Sequence, residues 1–160
     1  MEALNQNPSF QNLHTVSEIE LSYKTMIKPH ERPKISSSKE AYHIFKSHWD
    51  INNIELREEF KILLLNRANR ILGIVPISVG GVAGTVVDAK LIFAGALIAN
   101  ASSIILAHNH PSGNLRPSHQ DIRLTKKLVS AGKFLDISVF DHLIITYDGY
   151  TSFSDEGMIS

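Results

Sequence analysis

Hydrophobic and polar positions along the chain first predict a β-hairpin. Residues 58–65 read EEFKILLL and carry apolar side chains on both faces of an extended chain, which is typical of a central, covered strand. Residues 66–70 are polar enough to turn, and residues 71–78 return as a second strand. Pro76 lacks a backbone N–H, so we expect it near a sheet edge or a bulge.

Capping signals predict three helices. A serine or threonine followed three residues later by an acid has the spacing of a capping box, in which both side chains satisfy amides of the first helical turn. This spacing occurs at Ser37, Thr85 and Ser118. The expected helices cover about residues 38–49, 86–100 and 119–131. Gly132 is expected to end the third helix, because glycine is favoured just after a helix C-terminus.

The remaining apolar runs predict further strands. Residues 104–107 form a short buried strand that places His108 at its carboxyl end, and residues 137–147 form a longer strand. Residues 148–149 predict a turn, and residues 150–154 a last short strand. The order of elements therefore indicates a mixed α/β fold.

The N-terminal part is expected to be less regular. Residues 1–15 are polar and predict a flexible arm before a single domain that spans residues 16–160. Alternation of apolar and polar residues over 19–23 predicts a short strand with one buried face. Two prolines within residues 28–33 predict an extended link.

Composition excludes several classes of protein. The chain has 160 residues, of which 43% are hydrophobic and 20% charged, as in an ordinary globular domain. Sixteen basic and sixteen acidic residues balance, which argues against a broadly basic nucleic-acid or membrane-surface binder. Cysteine is absent, so disulfides, thiolate zinc sites, iron–sulfur clusters and thiol nucleophiles are excluded. A bound metal would need histidine and carboxylate ligands.

No segment predicts export or membrane insertion. The N-terminus lacks a basic region followed by an apolar stretch, so it does not read as a secretory signal. The most apolar run, residues 91–107, is short for a membrane span and contains Asn100, Ser102 and Ser103. A buried helix followed by a buried strand explains it, and we expect a cytoplasmic protein.

The segment HNHPSGNLRPSHQD, residues 108–121, carries the candidate chemistry. His108 and His110 are two apart at a strand end, so their imidazoles can point to the same side. Asp121, in the first turn of the next helix, can return a carboxylate to the pair. Two nitrogens and one oxygen would leave the fourth position of a zinc ion for water, as in catalytic sites. Alternatively, Asp121 could only favour the helix N-terminus and Ser118 could only cap it.

A general base for such a site has two candidates. Glu58 and Glu59 open the covered strand, and a carboxylate beside a desolvated pocket can have a raised pKa. By alternation Glu58 shares a face with Phe60, whereas Glu59 shares one with Lys61. These residues alone leave the choice between the two glutamates open.

Other polar residues admit both structural and functional interpretations. His142 could support a ligand from behind or be a buried structural histidine. A basic series surrounds the third helix, and we expect it to be a solvated surface, with contact to phosphates or an acidic partner as the alternative. The series consists of Arg116, Arg123, Lys126, Lys127 and Lys133.

The arrangement of His108, His110, Ser118 and Asp121 resembles the JAMM metalloprotease motif of JAB/MPN domains. The strings HNHPSG and DHLIIT are similar to the RadC-like branch, and the resemblance extends over about residues 37–153. It implies a three-layer α/β/α mixed-sheet domain of the cytidine-deaminase-like type. It also implies one zinc ion per chain on the two histidines and the aspartate, Glu58 as acid/base, and Ser118 as oxyanion donor.

The implied function is zinc-dependent hydrolysis of a peptide or isopeptide bond in a peptide or protein substrate. A DNA-associated accessory or repair module is the alternative, and a metal-dependent nuclease is the weaker third. The sequence also departs from the family pattern. Asn109 stands where JAMM peptidases usually have serine or threonine, and Ala89-Lys90-Leu91 replaces the Pro-Arg-Glu of RadC-like relatives. We expect no helix–hairpin–helix domain, which weakens the case for DNA binding.

Overall fold

A computed structural model of the chain describes residues 16–81 and 85–159 and contains a five-stranded mixed sheet between helices. The helices are α1 (Ser38–Ser47), α2 (Ala89–Ile98) and α3 (His119–Phe134), with a 3₁₀ turn at Pro29–Glu31. The strands are β1 (Glu59–Leu65), β2 (Ile71–Val79), β3 (Ser103–Asn109), β4 (Ser138–Ile145) and β5 (Tyr150–Ser152). Their spatial order is β2-β1-β3-β4-β5, in which β3 and β4 are parallel and the other neighbours antiparallel. The predicted hairpin and mixed α/β class are therefore confirmed.

Each face of the sheet is covered by helices, which confirms the three-layer arrangement. Alternate residues of β1 and β3 point to opposite faces, so each strand supplies two cores. One core packs against α2 and α3, and includes Phe60, Ile62, Ile104 and Leu106. The other packs against α1, and includes Leu63, Leu65, Ile105 and Ala107. His108 follows the first set and therefore faces α2 and α3.

A register shift between β3 and β4 decides which face the later residues of β4 occupy. Ile104 pairs with Val139, but Ile105 pairs with Asp141, so Phe140 is left out of the pairing. Beyond the shift, His142 pairs with Leu106 and shares its face. A comparable shift in β2 lies beside Pro76 on the edge strand, as expected for a residue without a backbone N–H.

The predicted capping box forms in full at α3, only its Ser37 half forms at α1, where the Glu40 carboxylate accepts from the Ser36 amide, and the prediction fails for α2. Ser37 Oγ accepts a hydrogen bond from the Glu40 amide, and α1 ends two residues earlier than predicted. For α2 the cap is Asp88, whose carboxylate accepts from the Lys90 amide at 2.9 Å. Residues 85–88 precede the helix without assigned secondary structure, and the Thr85 hydroxyl instead donates to Ser78 Oγ. The predicted cap at Thr85 was therefore wrong.

Gly132 lies inside α3 and does not end it. The helix continues to Phe134, and the chain reverses through Asp136, which has a positive φ of 56°. The Ile137 amide donates to the Gly132 carbonyl at 2.8 Å, so the returning chain crosses directly over the glycine. A Cβ at position 132 would lie 2.3 Å from the Ile137 carbonyl oxygen. Glycine is needed here for close backbone approach.

The predicted strand at residues 19–23 is wrong. Residues 16–28 carry no assigned strand or helix, and Val16, Ile19 and Leu21 are more than 80% exposed. Alternation predicts a strand only where a sheet face covers the apolar side chains, and none covers these. The predicted extended link at 28–33 contains the 3₁₀ turn. The predicted flexible arm, residues 1–15, lies outside the described residues.

The apolar run at residues 91–107 forms most of α2 and β3, as predicted. Among the described residues, no helix combines the length and the hydropathy that crossing a bilayer requires.

Two helix glycines offer a matched test of this packing. Gly132→Ala should destabilise the protein by about 1–3 kcal/mol, because the new methyl group meets a backbone oxygen that cannot move independently. Gly95→Ala in α2 should be neutral or stabilising by up to about 1 kcal/mol, since its Cβ would meet only Val75 at an ordinary 3.6 Å. Urea unfolding of both variants measures the difference. Equal stability of the two would contradict the close approach at Gly132.

Candidate metal centre

The candidate centre lies where β3 ends in the middle of the sheet. His108 is the penultimate residue of β3 and is buried, whereas His110 is just past its end and half-buried. The connection from β3 to its parallel neighbour β4 runs through α3, which brings the first turn of α3 back to this strand end. The two imidazoles and the start of α3 therefore meet at the carboxyl end of the central strand β3.

A reciprocal capping box fixes Asp121 at the start of α3. The Asp121 amide donates to Ser118 Oγ at 3.1 Å, and the Ser118 amide donates to Asp121 Oδ2 at 2.7 Å. Held in this way, Asp121 places Oδ1 3.3 Å from His108 Nε2 and Oδ2 3.5 Å from His110 Nε2. The sequence suggested that Asp121 was either a ligand or a helix-terminal charge, and its position is compatible with both roles.

Three ligand atoms converge at this point. The Nε2 atoms of His108 and His110 are 2.9 Å apart, and one ligand atom from each of the three residues lies within 4.8 Å of the others. Two imidazole nitrogens and a carboxylate oxygen are a donor set that zinc and several other divalent ions accept. The group can therefore hold a metal ion.

The electrostatics of the three residues also favour a cation. Burial alone would raise the pKa of Asp121, but hydrogen bonds with His108 and His110 outweigh it and hold that pKa well below its usual range. Burial alone would lower the pKa of His110, yet its contacts with Asp121 and the Asn114 carbonyl raise it. An ionised carboxylate thus faces the two imidazole nitrogens.

His110 is oriented by the loop that follows β3. Its Nδ1 lies 2.6 Å from the Asn114 carbonyl oxygen, which can only accept, so Nδ1 carries the proton and donates. In the neutral ring, Nε2 therefore keeps its lone pair and points towards Asp121. This carbonyl contact is a support of the kind that metal-binding histidines commonly have.

The structure separates the two candidate glutamates. Glu58 is half-buried and lines a cavity of about 240 Å³ together with His108, His110, Ser118 and Asp121. The backbone of Glu58 extends the pairing of β1 with β2, because its carbonyl oxygen accepts a hydrogen bond from the Gly80 amide at 2.8 Å. Glu59 lies on the α1 side, where it pairs with Lys61 Nζ at 3.1 Å and Arg57 Nε at 3.2 Å. Only Glu58 shares the cavity of the candidate ligands.

A continuous cleft passes over the candidate centre. The central cavity shares Glu58, His110 and Ser118 with a neighbouring cavity of about 430 Å³. On its other side it shares Thr85, Val87, Gln120 and Leu124 with a cavity of about 540 Å³. We call these three cavities the central cleft. A larger cavity of about 950 Å³ lies between the turns at residues 66–69, 100–103 and 135–138, and its lining includes no histidine.

Comparison with known proteins identifies the family. A family model described as a RadC-like JAB domain matches residues 35–158, which is most of the chain. The chain belongs to the RadC-like JAB domain family. The resemblance noted in the sequence is therefore confirmed, and it covers the described sheet and helices.

Curated relatives of this RadC-like domain carry the name UPF0758 protein. The chain is 46% identical to one from Flavobacterium johnsoniae over 125 residues, which are 78% of this chain and 53% of the relative. It is 49% identical to one from Porphyromonas gingivalis over 104 residues, 64% of this chain and 46% of that relative. A relative from Methanosarcina mazei is 36% identical over 144 residues, covering 90% of this chain and 61% of the relative. The chain thus spans only about half of the length of these proteins.

Asn109 has a role in this RadC-like domain that its sequence position did not reveal. Its side chain is fully buried on the α1 side, opposite the two histidines. Its Oδ1 accepts from the Glu59 amide at 2.7 Å, and its Nδ2 donates to the Ile54 and Arg57 carbonyls at 2.7 and 2.8 Å. Asn109 therefore holds the segment that carries Glu58 against β3. The signal in the sequence was an amide side chain between the two candidate ligands, at the end of a strand.

His142 contacts the candidate ligand His108 from behind. Its Nε2 lies 2.8 Å from His108 Nδ1, and its Nδ1 lies 2.7 Å from Thr125 Oγ1. The ring is fully buried against Phe153 and Phe60. Burial lowers the pKa of His142 well below its usual value, so the ring is neutral. The contact with the candidate ligand His108 and the complete burial are compatible with both sequence interpretations of His142.

Asn109→Ala should destabilise the domain strongly. The substitution leaves one amide and two carbonyl groups without their buried partner, which should cost about 2–4 kcal/mol of unfolding free energy. Asn52→Ala, at an exposed asparagine, should change stability by less than about 0.5 kcal/mol. Chemical denaturation of the metal-free protein measures both. A loss at position 109 no larger than the loss at position 52 would contradict the anchoring role.

Proposed function

We propose that this RadC-like domain is a zinc-dependent hydrolase of the JAMM type that cleaves a peptide or isopeptide bond. The observation that carries the proposal is the convergence of His108 Nε2, His110 Nε2 and the Asp121 carboxylate in one cavity with Glu58 and Ser118. These are the residue types and roles that the JAMM resemblance implies, and membership of the family supports carrying those roles over.

His108, His110 and Asp121 would hold the metal. The donor set fits zinc, and three protein ligands are the number that catalytic zinc sites use. A zinc ion acts as a Lewis acid and lowers the pKa of water at such a site to about 7. The ionised Asp121 and the Nε2 atom that His110 presents are prepared for this charge before any ion arrives.

Glu58 would carry the proton during hydrolysis. It lines the cavity of the candidate ligands, and no residue pairs with its carboxylate among the ion pairs of the described chain, whereas Glu59 is held by two basic side chains. In the proposed reaction, Glu58 accepts a proton from the attacking water. It then returns that proton to the departing amine as the carbon–nitrogen bond breaks.

Ser118 would stabilise the oxyanion that forms during attack. Its Oγ accepts the Asp121 amide proton in the capping box, which uses a lone pair and leaves the hydroxyl proton available. Ser118 lines the same cavity, so that proton can be donated to a carbonyl oxygen of substrate. Donors aimed at developing negative charge lower the barrier of acyl transfer. Capping and catalysis are therefore compatible functions of one side chain.

The shape of the central cleft supports a polypeptide substrate. Cavities open from the centre on two sides, one past Pro111 and Arg116 and the other past Val87 and Leu124. A main chain can therefore pass over Glu58 and the ligand group in extended form. The chain spans only about half of the length of its relatives. The substrate of the full-length protein and any further partner are therefore also part of the proposal.

The function is tested by measuring metal content and cleavage together. Purified protein should bind about one zinc ion per chain, and a His108→Ala/His110→Ala double variant should bind none at equal protein concentration. A peptide library derived from a proteome should then yield new termini only with zinc-loaded wild type. Glu58→Gln should retain zinc but lose about 10²–10⁴-fold in cleavage rate, because it cannot transfer the proton. Mass spectrometry of the digests gives both the rate and the cleaved bonds.

Glu55→Gln is the matched control, since Glu55 lines the neighbouring cavity of about 430 Å³ but not the cavity that contains His108. It should keep zinc and cleave at nearly the wild-type rate. Cleavage that persists in Glu58→Gln would reject the role of Glu58. Zinc-loaded wild type that cleaves nothing would reject the peptidase function but would still support the metal site.

A second candidate function is association with nucleic acid, favoured by basic residues on α3. Arg123 and Lys127 line the cavity of about 540 Å³ at the Leu124 end of the central cleft, and no acidic residue is among its described lining. Lys126 is exposed next to them. The neutral net charge makes this the lesser candidate.

A salt titration separates the two functions. If Arg123 and Lys127 contact phosphates, affinity for duplex or single-stranded DNA should fall steeply with salt, and an Arg123→Glu/Lys127→Glu variant should reduce both affinity and slope. Lys133→Glu, at the other end of α3, should leave both nearly unchanged. Absent binding, or binding equal at low and high salt, would reject the nucleic-acid function. Fluorescence anisotropy provides the measurement.

A further inference from the structure

A chain of short contacts runs from the backbone of Asp121 through two buried side chains to His108. Thr125 Oγ1 lies 2.7 Å from the Asp121 carbonyl oxygen and 2.7 Å from His142 Nδ1. His142 Nε2 then lies 2.8 Å from His108 Nδ1. Thr125 and His142 are both almost completely buried, so water does not offer these groups other partners.

The direction of each hydrogen bond follows from the first contact. A carbonyl oxygen only accepts, so the single hydroxyl proton of Thr125 lies on the contact with Asp121. The contact between Thr125 and His142 must then use a proton on His142 Nδ1. A neutral imidazole carries one N–H, so His142 Nε2 has a lone pair and accepts from His108 Nδ1.

The last step leaves the proton of His108 on the side away from the centre. With Nδ1–H committed to His142, the neutral ring of His108 has its lone pair on Nε2, the atom 3.3 Å from Asp121 Oδ1. The opposite tautomer would place a proton where an ion must bind. His110 reaches the same state through the Asn114 carbonyl, but His108 reaches it through two side chains.

We propose that Thr125 and His142 are positioning residues that fix the Nδ1–H tautomer of His108 and so hold its Nε2 lone pair ready for a metal ion. The inference rests on the metal binding proposed above. Asp121 then acts twice, since its carboxylate is a ligand and its carbonyl sets the first proton of the chain. Phe153 stacks on the His142 ring at 4.8 Å between centroids and Phe60 meets its edge, which restricts the ring to this orientation.

A pair of substitutions at position 125 separates the hydroxyl from packing. Thr125→Val keeps the shape but removes the hydroxyl, whereas Thr125→Ser keeps the hydroxyl but removes a methyl group. Without the hydroxyl, His142 Nδ1 loses its acceptor, and its ring can move the proton to Nε2 and reverse the contact with His108. Zinc affinity of Thr125→Val should therefore fall about 10–100-fold, as for other supports of metal ligands. Thr125→Ser should stay within about threefold of wild type, by the same comparison.

Thr146→Val is the control for a buried threonine hydroxyl. That hydroxyl bonds to Gly149 in the turn after β4 and contacts none of the ligand group. Its removal should leave zinc affinity unchanged, although it can lower stability. Competition with a chelator of known affinity measures zinc binding, and thermal unfolding verifies that each variant is folded.

The tautomer itself is read by ¹⁵N NMR of the histidine rings in metal-free protein. Wild type and Thr125→Ser should show His142 with a protonated Nδ1 and an unprotonated Nε2, and Thr125→Val should show signal from the reverse tautomer. Wild-type His142 protonated on Nε2 would overturn the proposal, as would a Thr125→Val variant with unchanged zinc affinity. If wild type shows the expected tautomer but binds no zinc, the proposed function fails and the metal role of these residues is overturned with it.

Discussion

The two hydrogen bonds between Ser118 and Asp121 determine the geometry of the whole site. They satisfy backbone amides at the start of α3, which any helix in this position would require. The same two bonds leave the Asp121 carboxylate with one orientation, facing the imidazoles at the end of β3. A candidate ligand whose rotamer is fixed by helix initiation cannot be lost without also disturbing the start of the helix. Stability and chemistry are therefore coupled through a single turn of α3.

Strand β3 connects the two halves of the domain because its alternate residues serve opposite faces. His108 reaches the α2 and α3 side, where Phe60 lies parallel to its ring at 6.0 Å. Asn109, the next residue, reaches the α1 side and binds three backbone groups near Glu58. One strand thus places a candidate ligand and also anchors the segment that carries the candidate base. A central strand is suited to this, since both of its edges and both of its faces are occupied.

Local signals in the sequence predicted much of the site, whereas distant contacts could not be predicted. The capping box of α3 and the His-x-His pair depend on residues close in the chain, so their spacing was enough. Alternation placed Glu58 on the face of Phe60, but the choice over Glu59 needed the family pattern and was then matched by the cavity. Asn109 looked only like a departure, because its partners are 50 to 55 residues away. At Thr85 the local rule failed, since Asp88 is itself a good cap three residues later.

The omission of Phe140 from the pairing of β3 with β4 decides which side chain of β4 lies behind His108. Before the shift, Val139 shares the face of Ile104. After the shift, Asp141 shares the face of Ile105 on the α1 side, and His142 shares the face of Leu106 on the α2 and α3 side. Regular pairing that included Phe140 would set Asp141 opposite Leu106 and turn its carboxylate towards the face of His108, with the imidazole of His142 on the α1 side. The group behind His108 therefore depends on the exclusion of Phe140 from the pairing as well as on the residue type at position 142. A related strand that lacks this extra residue is aligned correctly only with a gap at position 140, because an ungapped alignment would compare residues from opposite faces of the sheet.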